Sequence, residues 1–534
     1  MEAGPERGPR IAPPNCEDIN IMVWKAEDPE GNEAAKVRFD VVPFIGQSGL
    51  DLGCGPSKLF EHFIGVDSGK DIELFGVRMK PDIVVSSCER MPIFGDRATD
   101  CVFSSHLLEH IEDYKAALKE WWRLVKVGGH LVLYLPHRDL YPRIGTPGSN
   151  PDHKHDFAPQ DIVEAMEEVA DDWDLLVNET RDQGREYSFL QVYRRRSDGA
   201  GIARSFADPR PAKKAAVVRP GAFGDALWTA SLTAELKAQG YHVTVYTGPA
   251  GGEVLEHDPN VDRLIPIQGA LFSDEEWIAY YLGESRKYDR FVNLIGAVES
   301  RLLPHPHELP YHWPAKVRAA RMGENYLESM FELAELPFRM DQRFYPTEKE
   351  LAWARDQREK LFPGPLVVIS PTGSGLPKTW PHVQRFMELM ASRGVYTVVL
   401  GEVRQELASI EPHAVVIGTE LPMRLAMTLA TVADVVIGTE SAIVNAVASE
   451  ENLKVVLLSH SSPENLTKHW RNTMAVEPTG IACFPCHRLH RGFEFCTRDS
   501  VTGFAACQAA VAAETVAEAI APTLDRLQEV KEAA

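Results

Sequence analysis

Residues 50–56 read LDLGCGP: a short apolar strand with Asp51 inside it, ending in a Gly-x-Gly turn at Gly53 and Gly55. In doubly wound α/β folds, ligands bind at the carboxyl ends of strands, where glycine lets the backbone come close. Many buried turns need glycine too, so the flanking sequence has to decide. Fourteen residues after Gly53, the phrase GVD puts Asp67 at the end of a second strand. A carboxylate there can accept from both hydroxyls of a ribose. VVSSCERMP brings Ser87, Cys88 and Glu89 after a third strand, and ATDCVFSSHLLEHI brings Ser104, Ser105 and His106 after a fourth. VKVGGHLVLYLPH ends a fifth at His137. Strands are predicted at 49–53, 63–66, 83–85, 101–104 and 130–135, with helices at 114–125 and 161–169 and a helical stretch from Ala34. The alternation predicts a mostly parallel sheet, with an antiparallel piece at 187–194 to close it.

This succession resembles the class I S-adenosylmethionine-dependent methyltransferases, particularly the small-molecule branch with an HLLEH segment after strand four. The resemblance spans roughly residues 35–194. It implies that Asp51, Gly53 and Gly55 wrap the methionine end of the cofactor, that Asp67 binds the ribose, and that Ser87, Cys88 and Glu89 lie beside the adenine. Ser105 and His106 would line the floor near the sulfonium. Ser57 stands where many members have a third glycine. Because the sulfonium is already activated, the protein's share is orientation and removal of the acceptor proton. Candidate bases are His137, His153, His155 and Asp156, in a stretch that also reads as a polar loop with solvated histidines. Its DHKHD cluster offers metal ligands without the fixed spacing of a known site. The strand-four segment has no Asn-Pro-Pro-Tyr pattern and no Pro-Cys nucleophile follows it, which argues against methylation of DNA bases.

The chain has 534 residues, enough for two or three cores, and 44% hydrophobic with 25% charged residues is an ordinary globular balance. Residues 1–210 carry 25 basic and 37 acidic side chains, and the remainder 31 and 40. Neither part is basic, so no broad footprint for nucleic acid or anionic lipid exists. No apolar run approaches the roughly 20 residues of a membrane span. The polar, Pro-rich residues 1–30 read as a flexible leader without a signal peptide's apolar stretch. Eight cysteines are too sparse for a secreted disulfide framework, and a reducing cytoplasm is the expected compartment.

After the first domain, 31–194, a mixed-charge Gly- and Pro-containing linker is expected at 195–214. The strand–helix pattern then restarts. Strands are predicted at 215–219, 243–246, 261–266 and 290–295. A third block follows, with strands at 366–370, 396–400, 414–418, 435–438 and 455–459. The expected lobes are 215–345 and 346–534. AAVVRP runs into GAFGDALW, so Asp225 sits where a strand turns into a helix. Capping is a common use of such an aspartate, and a carboxylate at a cleft mouth is also what a glycosyl-transfer base requires. SPTGSGLPKTWP offers small residues, backbone N–H groups and Lys378 as a cradle for a diphosphate. GTESAIVNAVA leaves a strand and enters a helix at about Ser441, a further anion site.

Together these features resemble the bacterial heptosyltransferase family, glycosyltransferase family nine, with two Rossmann-like halves in the GT-B arrangement. The likeness implies Asp225 as the base that deprotonates the acceptor hydroxyl. Thr372, Ser374 and Lys378 would hold the nucleotide diphosphate, and Glu440, Ser441 and Asn445 the phosphates and donor sugar. Better-known members have Asp, Gly and His where this chain has Glu440, Ala442 and Asn445. Inverting, metal-free transfer is expected.

Cys483, Cys486, Cys496 and Cys507 fall within 25 residues in a C-x2-C-x9-C-x10-C spacing. Four thiolates satisfy the count for a tetrahedral structural zinc, with His487 and His490 as alternative ligands; buried or free thiols are the plainer reading. Cys16, Cys54, Cys88 and Cys101 are scattered. The expectation is an α/β bifunctional enzyme acting on a glycan or glycoconjugate, using S-adenosylmethionine and a nucleotide sugar. Its acceptor would be a carbohydrate and not nucleic acid. The rivals are a binding or assembly protein with reduced catalysis, and a nucleotide-sugar epimerase in the second half.

Overall fold

The computed structural model describes residues 33–69, 73–74, 77–78, 81–183, 186–196 and 213–533. The expected leader, Cys16 and most of the expected linker lie outside these residues. The described chain forms two compact units. Of the described residues, one draws on those up to 196 and on a returning segment, Leu271–Gly283; the other on 213–270 and 284–533.

The first unit is built on a seven-stranded sheet. Its spatial order is Ile83–Val84, Phe63–Asp67, Gly49–Leu52, Thr99–Ser105, Val125–Pro136, Ser188–Arg195 and Trp173–Arg181. The first five strands are parallel, and the last two pair antiparallel. The central strands read as near-continuous apolar runs, as strands covered on both faces must. All four residues of Gly49–Leu52 are buried. The helix Tyr114–Leu124 starts where the Asp113 carboxylate accepts from the Ala116 amide at 3.0 Å, and it buries Leu118, Trp121, Trp122 and Leu124. The stretch from Ala34 is three short pieces in place of one helix: 3-10 turns at Glu33–Val37 and Val42–Phe44 flank Arg38–Val41. Pro43 and the β-branched Val37, Val41 and Val42 disfavour a longer helix there. In the returning segment, Glu276 pairs with Arg38 at 2.6 Å, and the Phe272 and Tyr280 rings pack edge-on to Phe39.

The second unit holds two all-parallel sheets. The smaller has the order Arg263–Pro266, His242–Thr247, Lys214–Arg219, Arg290–Asn293. The larger has the order Ala414–Gly418, Tyr396–Leu400, Leu366–Ser370, Val435–Thr439, Leu453–Leu457, Thr473–Val476. These are the two Rossmann-like halves expected of a GT-B arrangement. One apolar cluster runs through both, from Val217 and Leu227 through Met330 to Val368 and Val436.

In chain order, each of the three sheets reads 3-2-1-4 at its centre. The strand order therefore reverses between the first and fourth strands, and the crevice at that switch point is where open α/β sheets bind ligands.

Candidate functional sites

In the first unit the switch point lies between Gly49–Leu52 and Thr99–Ser105. Gly53 and Gly55 take φ values of +72° and +59°, left-handed backbone that a side chain would strain. A Cβ on Gly53 would meet Leu107 at 3.0 Å, so the turn lies directly against the HLLEH segment. Asp51 is buried and accepts from the Leu59 amide at 2.7 Å; burial pushes its carboxyl up to about 7. Asp67 ends the second strand and accepts from the Gly55 amide at 3.0 Å, which ties strand two to the glycine turn. Its carboxylate also accepts from the Ser68 amide.

The Ser87 hydroxyl donates to Glu89 at 2.8 Å and accepts from the Glu89 amide, closing a small turn beside Asp67. The Cys88 carbonyl accepts from the Trp121 indole, and burial pushes its thiol up to about 12. Ser105 keeps a buried hydroxyl without a hydrogen-bond partner. His106 bends out of the strand at φ +49°, with Nε2 3.0 Å from the Ser188 hydroxyl; burial lowers its pKa to about 3, so the imidazole is neutral. A glycine turn without side chains, two carboxylates and a free buried hydroxyl fit an S-adenosylmethionine cradle. His137 follows the fifth strand, and its Nδ1 accepts from the Asp139 amide at 3.1 Å. The neutral ring then carries its proton on Nε2, so His137 can take a further proton only at Nδ1, by giving up the Asp139 amide. Glu109 and His110, which no expectation from the sequence included, lie just beyond His106 and group with His153.

In the second unit, Asp225 occupies the third position of the helix Phe223–Ala238 and does cap it: one oxygen accepts from the Ala222 amide at 2.9 Å. The other accepts from Arg219 at 3.0 Å. Arg219 is 1% exposed and also donates to Glu299, at 2.7 and 3.0 Å, and to the Leu294 carbonyl. Burial works against Glu299's charge, but Arg219 holds its carboxyl below the usual range. The aspartate is thus held in one orientation from both sides, with 24% of its side chain exposed.

The larger sheet brings Thr372, Ser374, Lys378, Glu440 and Ser441 to its switch point. Thr372 is buried with its hydroxyl unpartnered, and Ser374 is exposed. Lys378 is buried 3.7 Å from Glu440; burial lowers its pKa, while Glu440 and Asp225 raise it. The two lobes therefore bring a carboxylate and an ammonium to one locus. Glu440 accepts from the Ser459 amide, the Ser459 hydroxyl and the Ser461 amide at 2.9–3.0 Å, and from His460 Nδ1 at 2.6 Å. Burial opposes its ionisation, yet His460, Lys378 and the Ser459 amide hold it well below the usual carboxylate range. His460 itself falls to about 4, mainly by burial, so it serves as a neutral donor.

Ser441 donates to Ser370 at 2.9 Å, and the helix it precedes has only five residues, Ala442–Ala446. Asn445 spends both ends of its amide. Oδ1 accepts from Trp228 of the first lobe and from Gln342, at 2.9 and 2.8 Å, and Nδ2 donates to the Ser441 carbonyl. Of the residues expected around the sugar, Asn445 is thus an inter-lobe tie. Arg219 was expected only as part of the strand-to-helix turn, and His460 and Glu299 were not expected; only a charge pairing across 80 residues would have pointed to Glu299.

All seven described cysteines are free. Cys483, Cys486, Cys496 and Cys507 are near enough that each of the first three raises the pKa of Cys507, on top of burial. Cys496 lies 3.2 Å from His490 Nε2. Among the described residues, the one group of three whose ligand atoms all lie within 4.8 Å is a different one: Glu109, His110 and His153.

Residues 50–133 match the family model of a methyltransferase domain. A curated relative, the ubiquinone biosynthesis O-methyltransferase of Aliivibrio fischeri, is 24% identical over 150 residues, 24% of this chain. The chain spans 64% of that relative's length. Among solved structures, the E. coli ADP-heptose lps heptosyltransferase II is similar at 16% identity and TM-score 0.42, over 60% of this chain and 100% of that one. The family 9 glycosyl transferase of Veillonella parvula is similar at 16% and 0.41, over 58% and 97%. A putative methyltransferase solved with the Haloferax volcanii Trm112 activator is similar at 16% and 0.25, over 30% and 89%.

Proposed function

We propose that the methyltransferase domain of this chain uses S-adenosylmethionine and that the second unit transfers a sugar from a nucleotide donor, both acting on a glycan or glycoconjugate. Bound at the glycine turn, S-adenosylmethionine would supply an activated methyl group. Asp51, Gly53 and Gly55 would hold its methionine end and Asp67 its ribose, with Ser87, Cys88 and Glu89 beside the base. Ser105 and His106 would border the methyl, and His137 would take the acceptor proton at Nδ1, releasing the Asp139 amide.

The glycosyl-transfer reading is carried by one observation: Asp225 of one lobe lies near enough to Lys378 of the other to favour the charged ammonium. A base oriented by Arg219 would deprotonate the acceptor hydroxyl, while Lys378, Thr372 and Ser374 would hold the leaving diphosphate. Ser441, Glu440 and His460 would border the donor. Inversion follows from single displacement by the deprotonated acceptor. The four late cysteines are proposed as a structural metal site, zinc being the first candidate. Among the described residues no helix is long and apolar enough to cross a membrane.

Asp225→Asn keeps an oxygen for the Ala222 amide and removes the base. The expected result is unchanged binding of the nucleotide sugar, with transfer to a carbohydrate acceptor down by about 10²-fold or more. Transfer at the parent rate would overturn the assignment.

A further inference from the structure

Glu109 lies in the 3-10 turn Leu108–His110, just past the end of the Thr99–Ser105 strand. Its side chain is fully buried, and neither carboxylate oxygen has a hydrogen-bond partner. A buried carboxyl without partners is destabilising unless something compensates it. Around Oε1 stand three imidazoles: His106 Nδ1 at 3.8 Å, His110 Nε2 at 3.9 Å and His153 Nε2 at 3.9 Å. Those separations are too long for hydrogen bonds, so a proton shared between carboxyl and imidazole does not account for them.

They suit a central ion. With metal–ligand bonds of about 2.1 Å, neighbouring ligand atoms sit roughly 3.0–3.4 Å apart. The two spacings from Glu109 are about half an ångström wider, and all three ligand atoms lie within 4.8 Å of one another, within reach of side-chain rotations. The ligands are also braced. The Glu109 carbonyl accepts from the Lys154 and His155 amides at 2.7 and 3.2 Å, which fastens the His153 loop to the Glu109 turn. His155 Nε2 bridges the Ile111 and Glu112 carbonyls, and the His110 and His153 rings meet edge to face at 4.8 Å.

We propose that Glu109, His110 and His153 bind a divalent transition-metal ion through one carboxylate oxygen and two imidazole nitrogens. Three protein ligands leave coordination positions open, the mark of a site that takes a substrate or water and not of a purely structural one. Two imidazoles with a carboxylate suit zinc, iron, manganese or cobalt better than magnesium or calcium. Because Leu107 packs against Gly53, the ion lies close to the glycine turn. There it takes a hydroxyl oxygen of the methyl acceptor and lowers that hydroxyl's pKa, a role that rests on the methyltransferase reading.

The test uses the full-length protein, stripped with a chelator and titrated with cobalt(II). Nitrogen and oxygen ligands give visible d–d bands without the intense thiolate charge transfer that the late cysteines would produce, so the two sites separate in one spectrum. Expected is one equivalent bound without thiolate character, weakened at least tenfold in Glu109→Gln and in His153→Asn, with the thiolate bands unchanged. His110→Asn, at a partly exposed position, gives the same readout should the Glu109 variant fail to fold. Parent-like cobalt affinity and spectrum in a folded His153→Asn or His110→Asn would overturn the site. S-adenosylmethionine binding is measured by calorimetry alongside. Cobalt bound at this site by protein that binds no S-adenosylmethionine leaves the site standing and removes the methyltransferase role.

Discussion

Asp225 has the exposure and orientation of a base because a buried arginine holds it. Arg219 faces two carboxylates, and its guanidinium fork gives Glu299 a pair of donors and Asp225 one. The aspartate itself was legible in the sequence, since a Gly-Asp after an apolar strand marks a strand-to-helix turn. Arg219 stands six residues before it, but the Glu299 that fixes the arginine was not legible, because it is 80 residues away in the chain. His460 is the other residue that folding defines. It is buried against Glu440 as a neutral donor, with a folded pKa near 4 against an ordinary 6.5. As pH falls through 6.5 the unfolded chain binds a proton on this histidine that the folded chain refuses until about 4. The contribution of His460 is therefore complete above pH 6.5 and is lost on acidification, at no more than about 1.4 kcal/mol per pH unit. Urea titrations between pH 7 and 4.5 should show this slope together with that of His487, which burial also lowers to about 4, and His460→Asn should remove the His460 share. Glu440, whose pKa is depressed, gives way only below its unfolded value near 4.5 and so falls under this window.

At the scale of elements, the strongest apolar runs became strands where expected, and the weak ones were missed. Trp173–Arg181 forms the sheet edge of the first unit, with mostly half-buried and exposed residues. Polar edge strands keep a sheet from pairing with other chains, and that polarity erases the alternation by which a strand is recognised. Thr473–Val476 closes the larger sheet in the same way. The Ala442–Ala446 helix proved too short to act as an anion site, and its asparagine instead ties the two lobes together. Asn445→Ala would leave the Trp228 N–H without its acceptor and the Gln342 amide with only the main-chain carbonyl of residue 445. The expected cost is about 1–3 kcal/mol in urea unfolding. A loss below 1 kcal/mol would mean that water replaces the asparagine and that the lobes do not depend on it.

For the whole molecule, three sheets share one order, and each candidate site lies at its own reversal. The sites belong to two separate compact units, so their ligands should act on separate transitions. Calorimetry of the intact chain should show S-adenosylmethionine raising one transition and a nucleoside diphosphate raising the other. At a hundredfold excess over Kd each gain is about 2.7 kcal/mol. A single transition raised by both ligands would contradict this independence.

The sequence by itself determined the class of fold, most of the central strands and the residues around each glycine or Gly-Asp turn. Those signals are local: an apolar run, a turn residue and a carboxylate within a few positions, all set by backbone geometry. Tertiary structure alone decided which charges meet. Arg219 with Glu299, Glu440 with His460, and Glu109 with His153 are each joined by loops or crossovers that carry no periodic signal. Burial then sets their ionisation, because desolvation depends on what the rest of the chain packs around a group and not on its neighbours in sequence.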